Sequence, residues 1–444
     1  MLVVAALCSG CRLTKFLLRE TKEENVKGKI IAAGLLAALA VTGNADAKSL
    51  EDILKEKGVI TEADYKEVSK SAPISYKMGD GFTFRSSDEK FSLSMGGRLQ
   101  ARYSFFDKDD VNGSAQDVSE WRVRRAKFWL KGHAYTKDLT YKVQVNFVEG
   151  GSNKLLEDAA LNYKFIKEAQ LQVGQEKVPF ARQELTSSGA QQFVDRSSAT
   201  DAFKPGRDIG AMLHGSLFEG ILGYNLGWYG GAGQSVLRSS NNNALAARIA
   251  VNPLGEMKYS EADLDNSQKP LVSFGANYFG DSLKATRVGT ATTLETNNLG
   301  FAGSNGWLGK SKNWFTATEK VSINTFGMDA AFKWLGFSAQ GEYFIGQADG
   351  DITNTILRGQ GFYAQMGYFI IPKHLEVATR YSYVDPNRDA SNDLNTQVQG
   401  AVSYYFNKHN LKLQADVTNI HQQVAQPKQN TDEMQYRLQA QIIF

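Results

Sequence analysis

Residues 91–105 read FSLSMGGRLQARYSF, and their alternation decides the fold. Every second residue from Phe91 to Phe105 is apolar or glycine, and the residues between them include Arg98 and Arg102. A period of two places successive side chains on opposite faces of a strand. This stretch therefore predicts a β-strand with one apolar face and one polar, charged face.

The same period recurs along the chain, which predicts sixteen strands in all. They lie at 91–105, 123–132, 139–148, 157–165, 169–176, 208–217, 220–229, 244–252, 270–279, 321–333, 336–346, 360–370, 373–384, 396–406, 409–420 and 434–444. The last of these ends in YRLQAQIIF, whose terminal Phe444 resembles the signal by which outer-membrane barrels are recognised for insertion. We expect this last strand to pair with the first and close the sheet.

The connections between these strands alternate in length. Short ones such as YTKD (135–138) and NKHN (407–410) follow even-numbered strands, whereas longer loops rich in Gly, Ser, Asn and Asp follow odd-numbered ones. Only the link at 253–269 is longer than this rule allows. Turns that are short at one end and loops that are long at the other are typical of outer-membrane barrels. The sequence thus predicts an all-β fold, a 16-stranded antiparallel transmembrane β-barrel with short periplasmic turns and long extracellular loops.

Composition agrees with a barrel that encloses water. The chain has 41 glycines, 11% aromatic residues and a mean hydropathy of −0.35. After residue 50 no stretch approaches the roughly 18 apolar residues that a membrane-spanning helix needs. A barrel of sixteen strands has a lumen too wide for side chains to fill. We therefore predict a channel in the outer membrane of a Gram-negative bacterium, in contact with outer-membrane lipid.

The N-terminal part of the chain has the pattern of an export signal. A basic VKGK at 26–29, an apolar run at 30–43 and ADA at 45–47 form a signal peptide with its cleavage site. We predict a leader and signal peptide at 1–47, with translation starting at Met1 or at Val26. A short periplasmic helical segment follows at 48–80, and the barrel porin domain occupies 81–444.

Little in the sequence points to an enzyme. Cys8 and Cys11 both lie in the leader, and the five histidines are scattered. The chain contains neither a G-x-S-x-G elbow nor an H-E-x-x-H motif. We predict no enzyme activity, no cofactor, no metal and no nucleic-acid partner; the alternative from another class is a barrel enzyme such as a phospholipase.

The polar faces of the predicted strands carry more cations than anions, although the net charge of the chain is only +3. The cations on this parity are Arg98, Arg102, Arg125, Lys127, Lys131, Lys142, Lys164, Arg248, Lys333, Arg380, Lys412 and Arg437, and the acids are Asp158, Asp208, Asp329, Glu342, Glu376 and Asp416. The opposite register would turn these charges to lipid, at a cost of about 2–4 kcal/mol each at the bilayer midplane. A pore wall that carries more cations than anions lowers the energy barrier for the entry of anions. We therefore predict an anion-preferring pore lined by Arg98, Arg102, Arg125 and Lys127.

One loop is long enough to narrow such a pore. Residues 177–207 follow the fifth strand and carry Lys177, Arg182 and Arg196 among their cations. An ordered loop of this length is usually functional. It could fold inward as a constriction or lie across the outer mouth, and the sequence leaves both open.

Several motifs resemble the phosphate-selective porin O and P family. They are FSLSMGGRLQARYSFF, VRRAKFWLKG, LTSSGAQQFVDRS, GRDIG, GFSAQGEYF and MQYRLQAQIIF, and the likeness runs from about residue 80 to the C-terminus. The resemblance implies a homotrimer of 16-stranded barrels that passes small anions such as phosphate. It also implies that Arg98, the pair Arg124 and Arg125, and Arg196 lie on the anion path.

Two points depart from the family pattern. Strict alternation puts Arg124 on the outward parity, so it lies at the rim or in a bulge. Phosphate-specific members have a dense arginine ladder where this chain has 280–312, and that region offers only Lys284, Arg287, Lys310 and Lys312. A general, non-specific porin therefore remains an alternative to a phosphate-selective one.

Overall fold

The structure, a computed structural model, describes residues 54–59, 61, 73–108, 117–148, 155–288, 291–295, 298–311, 315–316, 318–424 and 429–444. The chain divides into two compact units, Met1–Ser71 and Ala72–Phe444. In the first unit residues 54–56 are helical, and the predicted leader at 1–47 lies outside the described residues. None of the helices in the described ranges is long and apolar enough to cross a membrane.

In the second unit the described residues form nineteen strands, three short α-helices and two 3₁₀ turns. The strands are β1 (Ile74–Lys77), β2 (Gly81–Arg85), β3 (Ser92–Lys108), β4 (Val118–Ala134), β5 (Thr136–Asn146), β6 (Leu156–Ile166), β7 (Ala169–Lys177), β8 (Arg207–Leu217), β9 (Leu222–Tyr229), β10 (Ala244–Val251), β11 (Leu271–Val288), β12 (Ala291–Leu294), β13 (Lys320–Trp334), β14 (Phe337–Gly350), β15 (Ile356–Ile371), β16 (Leu375–Asp385), β17 (Asn395–Asn407), β18 (Leu411–Val424) and β19 (Gln429–Ile443). The helices are α1 (Arg182–Leu185), α2 (Ser198–Phe203) and α3 (Trp307–Ser311), and the 3₁₀ turns are Phe218–Gly220 and Gly300–Ala302.

Sixteen of these strands close into an antiparallel barrel, as the sequence predicts. Strands β3–β11 and β13–β19 each pair with the next, and β19 returns to β3, with Gln439 opposite Arg102. The backbone amide of Phe444 donates to the carbonyl of Gly97 at 3.0 Å and completes the seam. Closure leaves no open edge within the ring of these sixteen strands, as a hydrocarbon environment requires.

Three strands lie outside this ring. β12 forms a hairpin with the end of β11, and β1 and β2 form a hairpin beside β3. The prediction of a helical segment up to residue 80 was therefore wrong for 74–77, which form strand β1. The sequence ISYK alternates with a period of two, and pairing with β2 satisfies its backbone in an extended form.

The two faces of the barrel wall divide as the alternation predicts. Trp121 and Met328 lie on the outer surface, where 69% and 68% of their area is exposed. Arg102, Arg248 and Arg380 point inward and are buried. An apolar exterior with a polar interior suits a wall that has lipid on one side and water or packed protein on the other.

The short connections are tight hairpins. Leu335 and Gly336 alone join β13 to β14, with φ angles of +47° and +81°. Positive φ at both central residues is the signature of a two-residue hairpin turn whose twist matches the strands, and glycine adopts it without strain. The exception is the link between β10 and β11 at 252–270, which the sequence had already set apart by its length.

Two of the register shifts between neighbouring barrel strands are β-bulges that add a charged residue to the wall. The register between β3 and β4 shifts after Gln100, which leaves Arg124 as an extra residue beside Arg125. The register between β5 and β6 shifts after Gln144, which leaves Glu157 as an extra residue beside Asp158. A bulge opposes two residues to one and re-aims a side chain. At each bulge, two consecutive charged residues can therefore both turn to the lumen.

Three segments fill much of the lumen. We call residues 178–206 the inner loop, residues 252–270 the lower link and residues 298–311 the upper loop. The inner loop and the upper loop enter from the long-loop end of the barrel, and the lower link enters from the short-turn end. The inner loop and the lower link meet inside, where the backbone amide of Glu261 donates to the carbonyl of Ala190 at 3.1 Å.

An aromatic stack joins the inner and upper loops to the wall. Phe203 stacks between Trp307 and Phe344, with ring centroids 5.9 Å and 5.6 Å apart, and Phe180 extends the stack at 5.9 Å from Phe344. All four rings are fully buried. Aromatic pairs of this kind contribute about 0.5–1.5 kcal/mol each beyond area burial. The stack fixes the inner loop inside the barrel.

Candidate functional site

The inner loop crosses the lumen and is fastened to the wall on both sides. On the side of β3 and β4, its Asp195 forms ion pairs with arginines of the wall. On the opposite side, Glu342 of β14 accepts hydrogen bonds from the backbone amides of Arg182 and Gln183, at 2.6 Å and 2.7 Å. These amides belong to the first turn of α1, where they have no partner within the helix. Of the two sequence alternatives, the structure thus adopts the inward fold.

Asp195 is surrounded by four arginines. Arg102 is nearest, with Nη1 2.5 Å from Oδ2, and Arg124 Nη2 lies 3.3 Å from Oδ1. Arg125 and Arg437 stand at 3.7 Å and 3.6 Å. Burial alone would raise the pKa of the Asp195 carboxyl, but the charges of Arg102 and then Arg124 hold that pKa well below its usual range. Asp195 therefore stays ionised and neutralises part of the arginine cluster.

The lower link supplies a second carboxylate that holds the inner loop. Glu261 Oε2 accepts from the backbone amide of Gln192 at 2.7 Å, and Oε1 accepts from Gln183 Nε2 at 2.9 Å. Gln365 of β15 donates to the same carboxylate at 3.1 Å. Glu376 of β16 accepts from Gln192 Nε2 at 2.6 Å. This side of the loop is packed into a dense network of carboxylates and amides.

An open cavity of about 980 Å³ lies on the other side, between the inner loop and strands β3–β8. It extends from Ser92 and His133 near the short-turn end to Asn298 and Gly300 of the upper loop. Nine lysines and arginines and four acids line it. The cations are Arg98, Arg125, Lys127, Lys131, Lys142, Lys177, Arg196, Lys204 and Arg207, and the acids are Glu157, Asp158, Glu176 and Glu184.

Several of these cations are paired. Lys127 contacts Glu157, and Arg207 binds Glu157 at 3.3 Å and Asp158 at 2.7 Å. Lys142 also reaches Asp158, at 2.7 Å. These pairs leave less positive charge in the cavity than the number of lysines and arginines alone implies.

Two cations of the cavity have no carboxylate partner within the part of the chain that the structure describes. Arg98 donates to the hydroxyls of Ser187 and Ser188, at 3.0 Å and 2.8 Å. Lys177 donates to main-chain carbonyls of the inner loop, including Leu185 O at 3.3 Å. A buried guanidinium such as that of Arg98 is costly without a counter-charge, and an anion in the cavity would supply one.

The sequence-predicted site residues thus fall into two groups. Arg98, Arg125, Lys127, Lys177 and Arg196 line the cavity. The other three are Arg102, Arg124 and Arg182, which do not appear in its wall. Arg102 and Arg124 instead hold Asp195, as described above.

Arg182 lies on the packed side of the inner loop. Its Nη1 donates to Ser273 Oγ at 3.0 Å and stands 3.8 Å from Asp329, and its guanidinium lies 5.1 Å from the ring centre of Tyr259. The side chain is buried. Its position fastens the loop rather than charging the passage.

Sequence reasoning missed Glu157 and the partner role of Asp195. Glu157 sits on the outward parity of a strict alternation, and only the bulge in β6 brings it inward. The available signal was the pair Glu157–Asp158 itself, because one of two adjacent charges in a lipid-facing strand would otherwise meet hydrocarbon. Among the described residues, no group of three histidine, cysteine or acidic side chains is arranged to hold a metal ion.

Comparison with known proteins agrees with this architecture. The family model "Phosphate-selective porin O and P" matches residues 93–444. Porin O of Pseudomonas aeruginosa is 26% identical over 372 residues, covering 78% of each chain. An uncharacterized protein of Aquifex aeolicus is 24% identical over 451 residues, covering 92% of this chain and 98% of that protein.

Solved structures share the fold at lower identity. The anion-selective porin from Comamonas acidovorans has a TM-score of 0.53 at 10% identity, covering 79% of this chain and all of that one. The outer membrane channel DcaP of Acinetobacter baumannii has a TM-score of 0.53 at 13% identity, covering 81% and 99%. The family match spans most of the barrel, and its members are channels rather than enzymes. The chain therefore belongs to the phosphate-selective porin O and P family and is an outer-membrane porin of that anion-selective family.

Proposed function

We propose that this porin passes small oxyanions such as phosphate through the cavity between the inner loop and strands β3–β8. The observation that carries the proposal is the lining of that cavity, in which nine cations face four acids. Arg98 and Lys177 have no carboxylate partner in the described structure, and both face the passage. A phosphate ion in the cavity would supply these two groups with the counter-charge that the described carboxylates do not supply.

The chemistry of the lining suits an oxyanion. A guanidinium presents paired N–H donors that match two oxygens of one phosphate. The hydroxyls of Ser187 and Ser188, which already accept from Arg98, can also donate to an anion. Conduction needs binding that is favourable enough for entry and weak enough for release. The acids Glu157 and Asp158 on the same wall keep the net positive charge moderate.

Reversal potentials in planar bilayers under a KCl gradient test the ion preference. The wild-type pore should prefer chloride over potassium, and added phosphate should reduce the chloride current. Arg98→Ala should lower both the anion preference and the block by phosphate. Arg358→Ala is the matched control, because it removes one exposed cation from the outer face of β15. A cation-preferring wild-type pore would overturn the proposal.

A general anion pore without phosphate selectivity is the second candidate, and one observation favours it. Lys284, in the region where phosphate-specific relatives have an arginine ladder, is exposed on the outward parity of β11 and does not line the cavity. Anion preference without block by phosphate would decide for this candidate.

We also propose that the porin assembles as a homotrimer in the outer membrane. Family membership and the broad apolar exterior of the barrel support this. Mass measurement of the protein in detergent, before and after heating, tests it. A particle of three chains that dissociates on heating is expected, and a monomer before heating would contradict the assembly.

A further inference from the structure

The β1–β2 hairpin continues the barrel wall beyond its short-turn end. β19 pairs with β3 only as far as Arg98. β2 then pairs with the remaining lower part of β3, so that Phe82 is opposite Met95 and Phe84 is opposite Leu93. The hairpin therefore occupies the edge of β3 that β19 leaves unpaired.

The register aligns the hairpin with the lipid-facing surface of the barrel. One row of residues crosses five strands, from Tyr76 of β1 through Phe82, Met95 and Leu130 to Val143 of β5. Val143 and Leu130 have the outward, apolar parity of the wall. Side chains in one row of a sheet share a face. The apolar face of the hairpin is thus continuous with the surface that the barrel turns to lipid.

A second row lies one step further from the barrel centre. It runs through Ile74, Phe84, Leu93, Gly132 and Tyr141. Ile74 and Phe84 are 57% and 36% exposed, and no described part of the chain covers them. The aromatic side chains of Phe84 and Tyr141 in this row are of the kind enriched where the membrane meets water.

The opposite face of the hairpin is polar and satisfied. Thr83 Oγ1 lies 2.7 Å from Ser94 Oγ, and Arg85 Nη1 donates to Ser75 Oγ at 3.1 Å. Lys77 is on this side too, and 80% of its side chain is exposed. The hairpin is therefore amphipathic, with its aromatic residues on one face and its charged residues on the other.

We propose that the β1–β2 hairpin is a membrane anchor whose apolar face lies in the phospholipid leaflet on the periplasmic side. We assign lipid to this face because it is continuous with the lipid-facing wall of the barrel. Its aromatic side chains are typical of the boundary between acyl chains and headgroups.

Site-directed spin labelling in bilayers tests the anchor. The only native cysteines, Cys8 and Cys11, are first replaced by serine in the full chain. A nitroxide is then attached at Phe82→Cys and, separately, at Tyr76→Cys, and its collisions with oxygen and with water-soluble nickel chelate are measured. Val143→Cys serves as the lipid-facing control and Lys77→Cys as the aqueous control. Heat-modified mobility in gels confirms that each variant is folded.

The anchor predicts that the oxygen-to-nickel accessibility ratio at Phe82→Cys and Tyr76→Cys matches that at Val143→Cys and exceeds that at Lys77→Cys. A ratio equal to that at Lys77→Cys would mean that the face is in water and would overturn the proposal. Low accessibility to both reagents together with an immobile spectrum would mean that a second copy of the chain covers the face, which also overturns it.

Discussion

The two sides of the inner loop use charge in opposite ways. Toward β3–β8, cations line an open cavity, and Arg98 and Lys177 are left without carboxylates in the described structure. Toward the opposite wall, Arg182 of the inner loop is buried and donates to Ser273 of β11, and Glu261 of the lower link is buried and accepts from Gln183 of the inner loop. One barrel thus holds an open, cation-lined cavity on one side and a packed support on the other. Changes to residues that line the cavity should alter ion preference, whereas changes to residues that fasten the inner loop to the wall should alter stability and conductance.

The largest effect is expected from Asp195→Asn. The change removes the carboxylate that neutralises Arg102 and its neighbours, and an uncompensated buried charge costs about 3–5 kcal/mol. We expect a lower unfolding temperature in detergent and a larger, noisier single-channel conductance as the inner loop loosens. Asp201→Asn is the control, because that carboxylate lies in the same loop but is 45% exposed and pairs only with Lys204 in the described structure. Equal unfolding temperatures for the two variants would contradict the role of Asp195.

A smaller effect is expected from Glu261→Ala on the support side. The backbone amide of Gln192 and the side-chain amide of Gln183 lose their acceptor, and each buried donor left unpaired costs about 1–3 kcal/mol. Thermal unfolding should move to lower temperature, while the reversal potential stays that of the wild type. Glu256→Ala, an exposed change in the same lower link, should alter neither. A shifted reversal potential in Glu261→Ala would show that the support side also conducts.

On the passage side, Glu157→Gln should strengthen the anion preference. Lys127 and Arg207 lose a counter-charge, and one unit charge at ~4 Å in water is worth about 1 kcal/mol. The change favours an anion and disfavours a cation by that amount each, so the anion-to-cation permeability ratio should rise about thirtyfold at most. Bilayer reversal potentials measure this. Asp349→Asn, on the outward parity of β14, removes one negative charge away from the cavity and controls for net charge. A fall in anion preference would be the opposite of what the pairing predicts.

The smallest effect is expected from Lys284→Ala. This side chain is exposed on the outward parity of β11, so its removal should leave both the reversal potential and the block by phosphate unchanged. Arg98→Ala, measured alongside, provides the positive comparison. A loss of anion preference in Lys284→Ala would place part of the anion path outside the cavity of β3–β8.

The sequence predicted the ring of sixteen strands because two independent signals agreed. Lipid and lumen impose a period of two on every strand, and the membrane sorts connections by length. Neither signal reports a bulge, so strict alternation could only place Arg124 at a rim or in a bulge and left Glu157 unnoticed. Adjacent charges within an otherwise alternating strand, as in Arg124–Arg125 and Glu157–Asp158, are the pattern that marks such a bulge here.

The division of the lumen was less accessible from sequence. The sequence left two positions open for the inner loop, inside the lumen or across the outer mouth. The cations of the loop do not by themselves show whether they contact acidic residues such as Asp329 or water. The sequence distinguished the lower link only by its length, which exceeds that of the other connections after even-numbered strands. Its contacts through Glu261 depend on residues more than sixty positions away in the chain, and a single sequence carries no signal for such pairings.

Thiol modification during channel recording tests the division of the lumen most directly. Ser94→Cys places a thiol in the cavity wall on β3, and Ser403→Cys places one on the lumen-facing parity of β17 on the packed side. An anionic methanethiosulfonate reagent should react quickly at Ser94→Cys and lower the conductance, and should leave Ser403→Cys unmodified. Equal reaction rates at the two positions would contradict the proposed passage along β3–β8.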